Sequence, residues 1–411
     1  MAKILWLNWS GGGNLPPSLG IARALAAGGH LVAFAGRPEM VPRVEAAGFR
    51  AIELRRAYEQ VASYPLKFIP KAASFLSSPA TAEEIRALVA EERPDLVIID
   101  AMFPAALTEA AHFRCPTVVM SHTAVHRLME PWRKQLGLIV GLRTEAGFPS
   151  LPADLDTLWM SHDLVLVSTL KSLDDAPSEL GHADKIRHVG PVLESERHAA
   201  RVALPWRADD PTPIALVSFS TAPEQGSPAK FQNAIDALAA LPVHGIVTVG
   251  DSVDPATLKP AENVLVFATA DHEDLMRRAA LVVTHGGHGT FMRALKHGLP
   301  MVVIPGMAHD QAPNAAAAQA WGVGRALSGD VSAEMIRHAV QEVLADAGFR
   351  RKSQAISREL ARVDGAVNAA AEIESLLAEH RFRARLRHSN GRVCSSGLKA
   401  DRATEPNVAK L

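Results

Sequence analysis

Cysteine and net charge are what this sequence has little of. Its 411 residues include two cysteines, Cys115 and Cys394, which argues against a disulfide framework and a cysteine-based metal site and fits a reducing cytoplasm. Lys and Arg number 43 against 44 Asp and Glu, a formal net charge of −1. This balance gives no electrostatic reason to expect a nucleic acid or an anionic membrane as partner.

Long hydrophobic runs and a leader pattern are missing as well. No stretch of about 18 uninterrupted apolar residues occurs, so we expect no transmembrane helix and no stable membrane insertion. The first residues, MAKILWLNW, form an apolar strand pattern without the basic region and cleavage site of a secretion signal. The sequence therefore predicts a cytoplasmic protein.

What is present is a regular alternation of short apolar runs with helical patterns. The runs have the length of buried strands, and the segments between them carry apolar residues at helical spacing and stop at Gly or Pro. Such alternation predicts parallel sheets covered by helices on both faces. The predicted strands lie at residues 3–9, 31–36, 95–100, 116–122 and 162–168, and again at 214–220, 245–250, 263–268, 280–287 and 301–306.

A polar, proline-rich stretch interrupts this alternation and divides the chain into two doubly wound α/β domains. A cleft between two such domains is where open α/β sheets bind ligands. The end of the chain is basic and then Gly/Ser-rich, which predicts disorder. The predicted units are an N-terminal Rossmann-like domain at 1–192, a linker at 193–213, a C-terminal Rossmann-like domain at 214–350, a helical segment at 351–380 and a disordered tail at 381–411.

The turn HGGHGT, residues 285–290, has the composition of a phosphate site. It joins a predicted strand to a predicted helix, whose N-terminus offers unpaired N–H groups and a partial positive charge. His285 can donate a ring N–H to a phosphate, and Thr290 can either cap the helix or donate its hydroxyl. The glycines that let backbone amides approach an anion are Gly286, Gly287 and Gly289.

A second strand-to-helix junction supplies groups that suit a sugar. Asp310 accepts hydrogen bonds and Gln311 both accepts and donates, as vicinal hydroxyls require, although Asp310 equally fits a helix N-cap. Ser220 and Thr221, at the tip of the first strand of the second domain, are further candidates to face this ligand. We expect His288, inside the glycine turn, to be solvated rather than a ligand.

These blocks resemble a known family. HGGHGT followed by HDQ, together with the N-terminal glycine loop and the VGP before the linker, is similar to the GT-B glycosyltransferases of the UDP-glucosyl/glucuronosyltransferase type, especially bacterial enzymes that glycosylate natural products. The resemblance covers roughly residues 1–375. It implies a GT-B fold of two facing Rossmann-like domains, no metal and no cofactor. It also implies inverting transfer of a sugar from a nucleotide diphosphate sugar, UDP- or dTDP-linked, to a small hydrophobic acceptor.

The resemblance also implies roles for the donor-side residues. The family often stacks a Trp on the nucleotide base, but the corresponding loop here contains no Trp, and Phe267 is the candidate in its place. Asp310 and Gln311 would hold the donor sugar. The residues that would hold the diphosphate are His285, Gly287, Gly289 and Thr290.

The catalytic position departs from the family. The family's base is usually a His three residues before the proline that opens the first helix, and an Asp after a later strand orients it. With Pro17 as that proline, the base position is Asn14, and the Asp matches Asp100. An amide cannot accept the acceptor's proton, although it can position a hydroxyl by hydrogen bonding.

Several alternatives for the base and for the function follow from this departure. Asp100 could act directly or through water, His122 could reach the acceptor from the neighbouring strand, or the acceptor could be acidic enough to need little help. Asn14 also fits a turn residue with left-handed backbone geometry, and His122 a structural role. The alternative function is a catalytically impaired nucleotide-sugar-binding homologue that serves as an auxiliary or regulatory partner. A nucleotide-sugar epimerase is a third reading.

Overall fold

The computed structural model describes most of the chain and contains two separate parallel sheets. None of the helices in its described ranges is long and apolar enough to cross a membrane. The described residues are 1–9, 13–62, 75–126, 132–134, 136–137, 140–141, 144, 155–174, 183–193, 201–207, 209–219, 227–306 and 310–395.

The first sheet has seven strands in the order β3-β2-β1-β4-β5-β6-β7, all parallel. Its central strands are apolar and buried on both faces, as expected where helices cover a parallel sheet. The strands are β1 (Lys3–Asn8), β2 (Leu31–Gly36), β3 (Arg50–Glu53), β4 (Leu96–Asp100), β5 (Thr117–Ser121), β6 (Leu164–Val167) and β7 (Ile186–His188). The helices between them are α1 (Leu15–Ala27), α2 (Val41–Ala46), α3 (Arg55–Ala62), α4 (Pro79–Glu92), α5 (Pro104–Glu109) and α6 (Leu155–Met160).

The second sheet has six parallel strands in the order β10-β9-β8-β11-β12-β13. Its strands are β8 (Ile214–Ser218), β9 (His244–Thr248), β10 (Val264–Phe267), β11 (Leu281–Thr284), β12 (Met301–Val303) and β13 (Gly324–Ala326). The helices that accompany it are α7 (Pro228–Ala239), α8 (His272–Arg278), α9 (His288–Lys296), α10 (Gln311–Ala320), α11 (Ala333–Ala345) and α12 (Ala347–Leu360). The last helix of the described chain is α13 (Gly365–Ser395).

The predicted α/β class with two parallel-sheet halves is confirmed, and all ten predicted strands are present within two or three residues of their predicted ends. Three strands were not predicted: β3, β7 and β13. Each lies at the edge of its sheet and has only three or four residues. Polar side chains such as Arg50, Arg187 and Arg325 interrupt any apolar run there, so the sequence carries no strand signal.

The final helix α13 returns from the second half of the chain to the first. It packs on α1, and its apolar side chains join the hydrophobic core on that face of the first sheet. Asn368 Nδ2 donates to the Val189 carbonyl at 3.0 Å. The sequence predicts a disordered tail from residue 381, but α13 continues to Ser395 and so extends into this segment. Residues 396–411 lie outside the described ranges. The core residues that α13 contributes are Ala369, Ala370, Ile373 and Leu377.

The start of α13 depends on a close approach of two backbones. Gly190 has φ +92°, and a Cβ at this position would collide with the Val363 side chain. A Cβ on Gly365 would collide with the Gly190 carbonyl. The glycine of the VGP sequence therefore has a packing role at the junction where the chain returns to the first sheet.

Docking of α13 can be tested by removing one of its buried side chains. Ile373 is fully buried in the core of the first sheet, so Ile373→Ala should lower the free energy of unfolding by about 2–5 kcal/mol. Val367, on the same helix, is 56% exposed, and Val367→Ala should change the unfolding free energy by less than about 0.5 kcal/mol. Urea unfolding followed by circular dichroism measures both. Equal effects of the two variants would contradict the docking.

Candidate active site

A buried carboxylate lies at the carboxyl edge of the first sheet. Because β1, β4 and β5 are neighbours in the sheet, their ends bring Asn8, Asp100 and His122 together. The Asp100 side chain is 1% exposed. Its Oδ2 accepts hydrogen bonds from Asn14 Nδ2 at 2.7 Å and from His122 Nε2 at 2.8 Å, and its Oδ1 accepts from the Met102 amide at 2.9 Å.

Asn14 is fixed by a network of polar groups around the start of α1. Its Nδ2 also lies 3.3 Å from Asn8 Oδ1, Asn8 Nδ2 donates to Ser18 Oγ at 3.0 Å, and Ser18 Oγ donates to the Asn14 carbonyl at 2.8 Å. The Asn14 backbone is right-handed, with φ −87° and ψ −22°. The expectation of a left-handed turn residue is therefore wrong, and its amide group is engaged with Asp100 instead.

One ring nitrogen of His122 is hydrogen-bonded to Asp100, and the other has no hydrogen-bond partner among the described residues. A carboxylate oxygen only accepts hydrogen bonds, so the Nε2 atom carries the proton and Nδ1 has a lone pair. Within the described residues, both His122 Nδ1 and Asn14 Oδ1 are buried and without a hydrogen-bond partner. Two unpartnered acceptor atoms thus lie on side chains that flank one carboxylate, an arrangement suited to receiving a hydroxyl group.

The glycine turn lies at the carboxyl end of β11. Gly286 has φ +86°, and a Cβ there would lie 2.8 Å from Val303 Cγ1, so the turn packs tightly against β12. A Cβ on Gly289 would instead meet nothing within 4 Å. Helix α9 begins at His288, and helix geometry leaves the amides of Gly289 and Thr290 without intrahelical acceptors. The turn therefore combines a rigid base with open space at a helix N-terminus, as anion binding requires.

His288 is not the solvated turn residue that the sequence suggests. Its amide donates to Asp310 Oδ2 at 2.9 Å, and its Nε2 donates to the Ser168 carbonyl at 2.9 Å. Ser168 follows β6 of the first sheet, so the glycine turn of the second sheet touches the first. Asp310 stands at the N-cap position of α10 but makes no capping hydrogen bond there; it holds the start of α9.

Two amide side chains hold the glycine turn and the neighbouring loop after β12. Gln311 Oε1 accepts from the Gly306 amide at 2.6 Å, and Asn314 Nδ2 donates to the Gly286 carbonyl at 2.8 Å. Both side chains are buried. Asn314 is absent from the sequence prediction, because an Asn inside an alanine-rich helix carries no pattern that marks it.

His285 is neutral at physiological pH. Burial lowers the pKa of its imidazole to about 4, and the positive charge of Lys230 contributes in the same direction, against the opposing effect of Asp310. A neutral imidazole acts as a hydrogen-bonding group rather than a fixed charge. The positive charge that acts on His285 is therefore the ammonium group of Lys230.

Lys230 is the site residue that sequence reasoning missed. It lies in the first turn of α7, and its Nζ donates to the Ile304 carbonyl at 2.6 Å, just beyond β12. The ammonium also lies 4.6 Å from the centroid of the Phe219 ring. Burial lowers the pKa of Lys230 to about 8. A lysine near a helix start resembles any surface lysine in sequence, so no signal marks it.

The remaining predicted residues have different outcomes. Phe267, at the end of β10, is partly buried and packs against a hydrophobic core, and its stacking on a base stays a prediction. Thr290 is partly buried in the first turn of α9. Ser220 and Thr221 lie outside the described residues.

Comparisons with known proteins find matches in both halves of the chain. Residues 232–376 match the family described as Erythromycin biosynthesis protein CIII-like, C-terminal domain, and residues 19–148 match Glycosyltransferase Family 4. The chain is 26% identical to a demethyllactenocin mycarosyltransferase of Streptomyces fradiae, over 92% of this chain and 87% of that protein. It is 27% identical to an oleandomycin glycosyltransferase of Streptomyces antibioticus, over 92% and 91%.

Among solved structures, the calicheamicin glycosyltransferase CalG4 superposes with a TM-score of 0.74 at 24% identity, covering 92% of this chain and 98% of that one. The two facing parallel sheets and these relatives define the class: the chain has the GT-B fold of glycosyltransferases. More particularly, it is similar to natural-product glycosyltransferases, and these relatives support an enzyme.

The electrostatic state of the glycine turn can be tested by histidine NMR. Because burial holds the pKa of His285 near 4, its imidazole signals should stay in the neutral form from about pH 8 down to about pH 5. The variant His285→Gln identifies the resonance by its disappearance. A titration midpoint near the ordinary value of about 6.5 would contradict the buried environment.

Proposed function

We propose that the protein is an inverting glycosyltransferase that moves a sugar from a UDP- or dTDP-linked donor to a small hydrophobic acceptor, with His122 as the general base. The observation that carries the proposal is the shared Asp100 oxygen: Asn14 occupies the place where the family usually has its base, and His122 reaches the same carboxylate at 2.8 Å from β5. The carboxylate orients the imidazole and stabilises its cation once a proton is taken.

The contacts favour His122 over Asp100 as the group that takes the proton. Both oxygens of Asp100 already accept hydrogen bonds within the protein, so the carboxylate is engaged in holding its neighbours. His122 Nδ1 carries a lone pair without a partner among the described residues. In the transfer step this atom accepts the hydroxyl proton while the acceptor oxygen bonds to the anomeric carbon and the nucleotide diphosphate leaves.

Asn14 acts as a positioning residue. Its Nδ2 donates to the same Asp100 oxygen as His122, and its Oδ1 has no hydrogen-bond partner among the described residues. An amide in this position keeps the carboxylate oriented but cannot take the proton. A His at residue 14 would both contact the carboxylate and take the proton. Here Asn14 does the first and His122 does the second.

On the donor side, the diphosphate fits the start of α9. The amides of Gly289 and Thr290 and the ring of His285 supply hydrogen bonds, and Lys230 supplies a positive charge near the leaving group. These groups can stabilise a departing diphosphate without a metal ion. Asp310 and Gln311, which hold the turn and the loop after β12, are the candidates for the sugar hydroxyls.

The base assignment predicts a specific pattern of activity among variants. His122→Gln should lower kcat by about 10²- to 10⁴-fold, because the proton acceptor is lost while the fold is kept. In that background Asn14→His should restore part of the activity, since the new imidazole would stand beside Asp100 Oδ2. Single-turnover transfer is measured with UDP- and dTDP-sugars and a panel of phenolic and macrolide acceptors.

The matched control is His30→Gln, which removes a histidine that pairs with Glu374 at a helix-to-strand turn far from the carboxyl edge of the sheet. It should leave the transfer rate unchanged. Full activity of His122→Gln would exclude His122 as the base. Donor binding without any transfer by the wild-type chain would instead support the auxiliary, catalytically impaired homologue.

The Lys230 ammonium should make nucleotide binding depend on pH. Its pKa is lowered to about 8, so the charge is present below this pH and is lost above it. The dissociation constant of UDP or dTDP should therefore rise, by about tenfold between about pH 7 and pH 9, as one attractive charge disappears.

Titration calorimetry at several pH values measures this effect. Lys230→Gln should bind weakly and without the pH dependence, whereas Lys259→Gln, a change at an exposed lysine before β10, should behave like the wild-type chain. The same pH dependence in Lys230→Gln would show that another group is responsible.

A further inference from the structure

Three side chains outside the proposed catalytic site meet at the carboxyl edge of the first sheet. They are His126, which follows β5, Asp174, which follows β6, and His188, the last residue of β7. We propose that they form a binding site for a divalent transition-metal ion of the zinc type, which fastens these three segments together. The proposal does not depend on the proposed transfer reaction.

The ligand atoms are already close to one another. Asp174 Oδ2 lies 2.9 Å from His188 Nε2, and the ligand atoms of all three residues lie within 4.8 Å of one another. Zinc bonds to nitrogen and oxygen at about 2.0–2.2 Å in a tetrahedron, which places neighbouring ligand atoms about 3.3 Å apart. Asp174 and His188 lie about 0.4 Å inside this spacing because a hydrogen bond joins them, and an ion that bridges the three side chains would replace this hydrogen bond.

The carboxylate is held in the orientation that a ligand needs. The amides of Val125 and His126 donate to its two oxygens at 3.0 and 3.1 Å, and the side chain itself is fully buried. Hydrogen bonds of this kind around a ligand orient it and tune the metal.

The chemistry of the donor set indicates the ion. Two imidazoles and one carboxylate suit zinc and similar divalent transition metals, whereas calcium and magnesium prefer sites made of oxygen atoms. Three protein ligands leave a fourth position for water. Among the described residues, this is the one group of three such side chains with this spacing.

The location gives the ion a structural role between the two halves. Leu173, the residue before Asp174, is buried in the hydrophobic core on one face of the second sheet, and Ser172 Oγ donates to Glu359 Oε2 on α12 at 2.9 Å. A metal on Asp174 therefore anchors the segment by which the first half docks on the second.

Zinc binding is tested on the full, untagged chain after treatment with EDTA. We expect one Zn²⁺ per chain by elemental analysis after addition of ZnCl₂ and gel filtration, and Co²⁺ from CoCl₂ should give the visible absorption of a tetrahedral site. Zn²⁺ should also raise the melting temperature of the wild-type chain. Absence of stoichiometric binding of both ions would overturn the proposal.

Variants show whether these residues are the ligands. His126→Gln and His188→Gln should each weaken Zn²⁺ binding by more than about tenfold, since removing a ligand costs at least as much as removing a residue that supports one. Because His126 is partly exposed, we expect His126→Gln to keep the fold. This variant therefore tests the site even where His188→Gln unfolds the chain. The matched control is His244→Gln, because His244 pairs with Asp210 at the same 2.9 Å but outside the cluster. Binding by His126→Gln equal to that of the wild-type chain would overturn the proposal.

Discussion

A buried carboxylate at the end of β4 is the constraint around which the first half of the cleft is arranged. Burying Asp100 is costly unless donors surround it, and the chain supplies Asn14, His122 and the Met102 amide from three separate segments. Because Oδ2 receives two of these donors, Asn14 and His122 are held in fixed relation to each other. The arrangement of polar side chains at this edge of the sheet thus follows from the need to satisfy one charge.

In the second half of the chain, the corresponding feature is the backbone of the glycine turn before α9. The turn before α9 approaches β12 so closely that Gly286 admits no side chain, while Asn314 and Asp310 hold its carbonyl and amide groups. His288 then connects this turn to the Ser168 carbonyl of the other half. The geometry of the glycine turn and the contact between the two halves are therefore set by the same few residues.

The sequence predicts features that repeat along the chain and misses those that depend on contacts between distant residues. Ten strands, two halves and the glycine turn follow from apolar runs and glycine spacing, which depend on backbone periodicity alone. His122 is only one of several alternatives for the base in the sequence, and its contact with Asp100 is not predicted, because sheet order decides which strand ends are neighbours. Lys230, Asn314 and the interdomain contact of His288 depend on side-chain directions across tens of residues, and no local pattern encodes them. The short edge strands were missed because polar residues interrupt them.

The return of α13 to the first sheet has a consequence for recombining this chain with its relatives. The helix lies at the end of the sequence, yet its buried residues complete the core beside α1. A chimaera that exchanges everything after the linker would pair this helix with a foreign partner surface and leave the first half with an uncovered face. An exchange of donor specificity therefore needs two crossover points, one in the linker and one between Leu360 and Gly365, so that the last helix stays with the half that it covers.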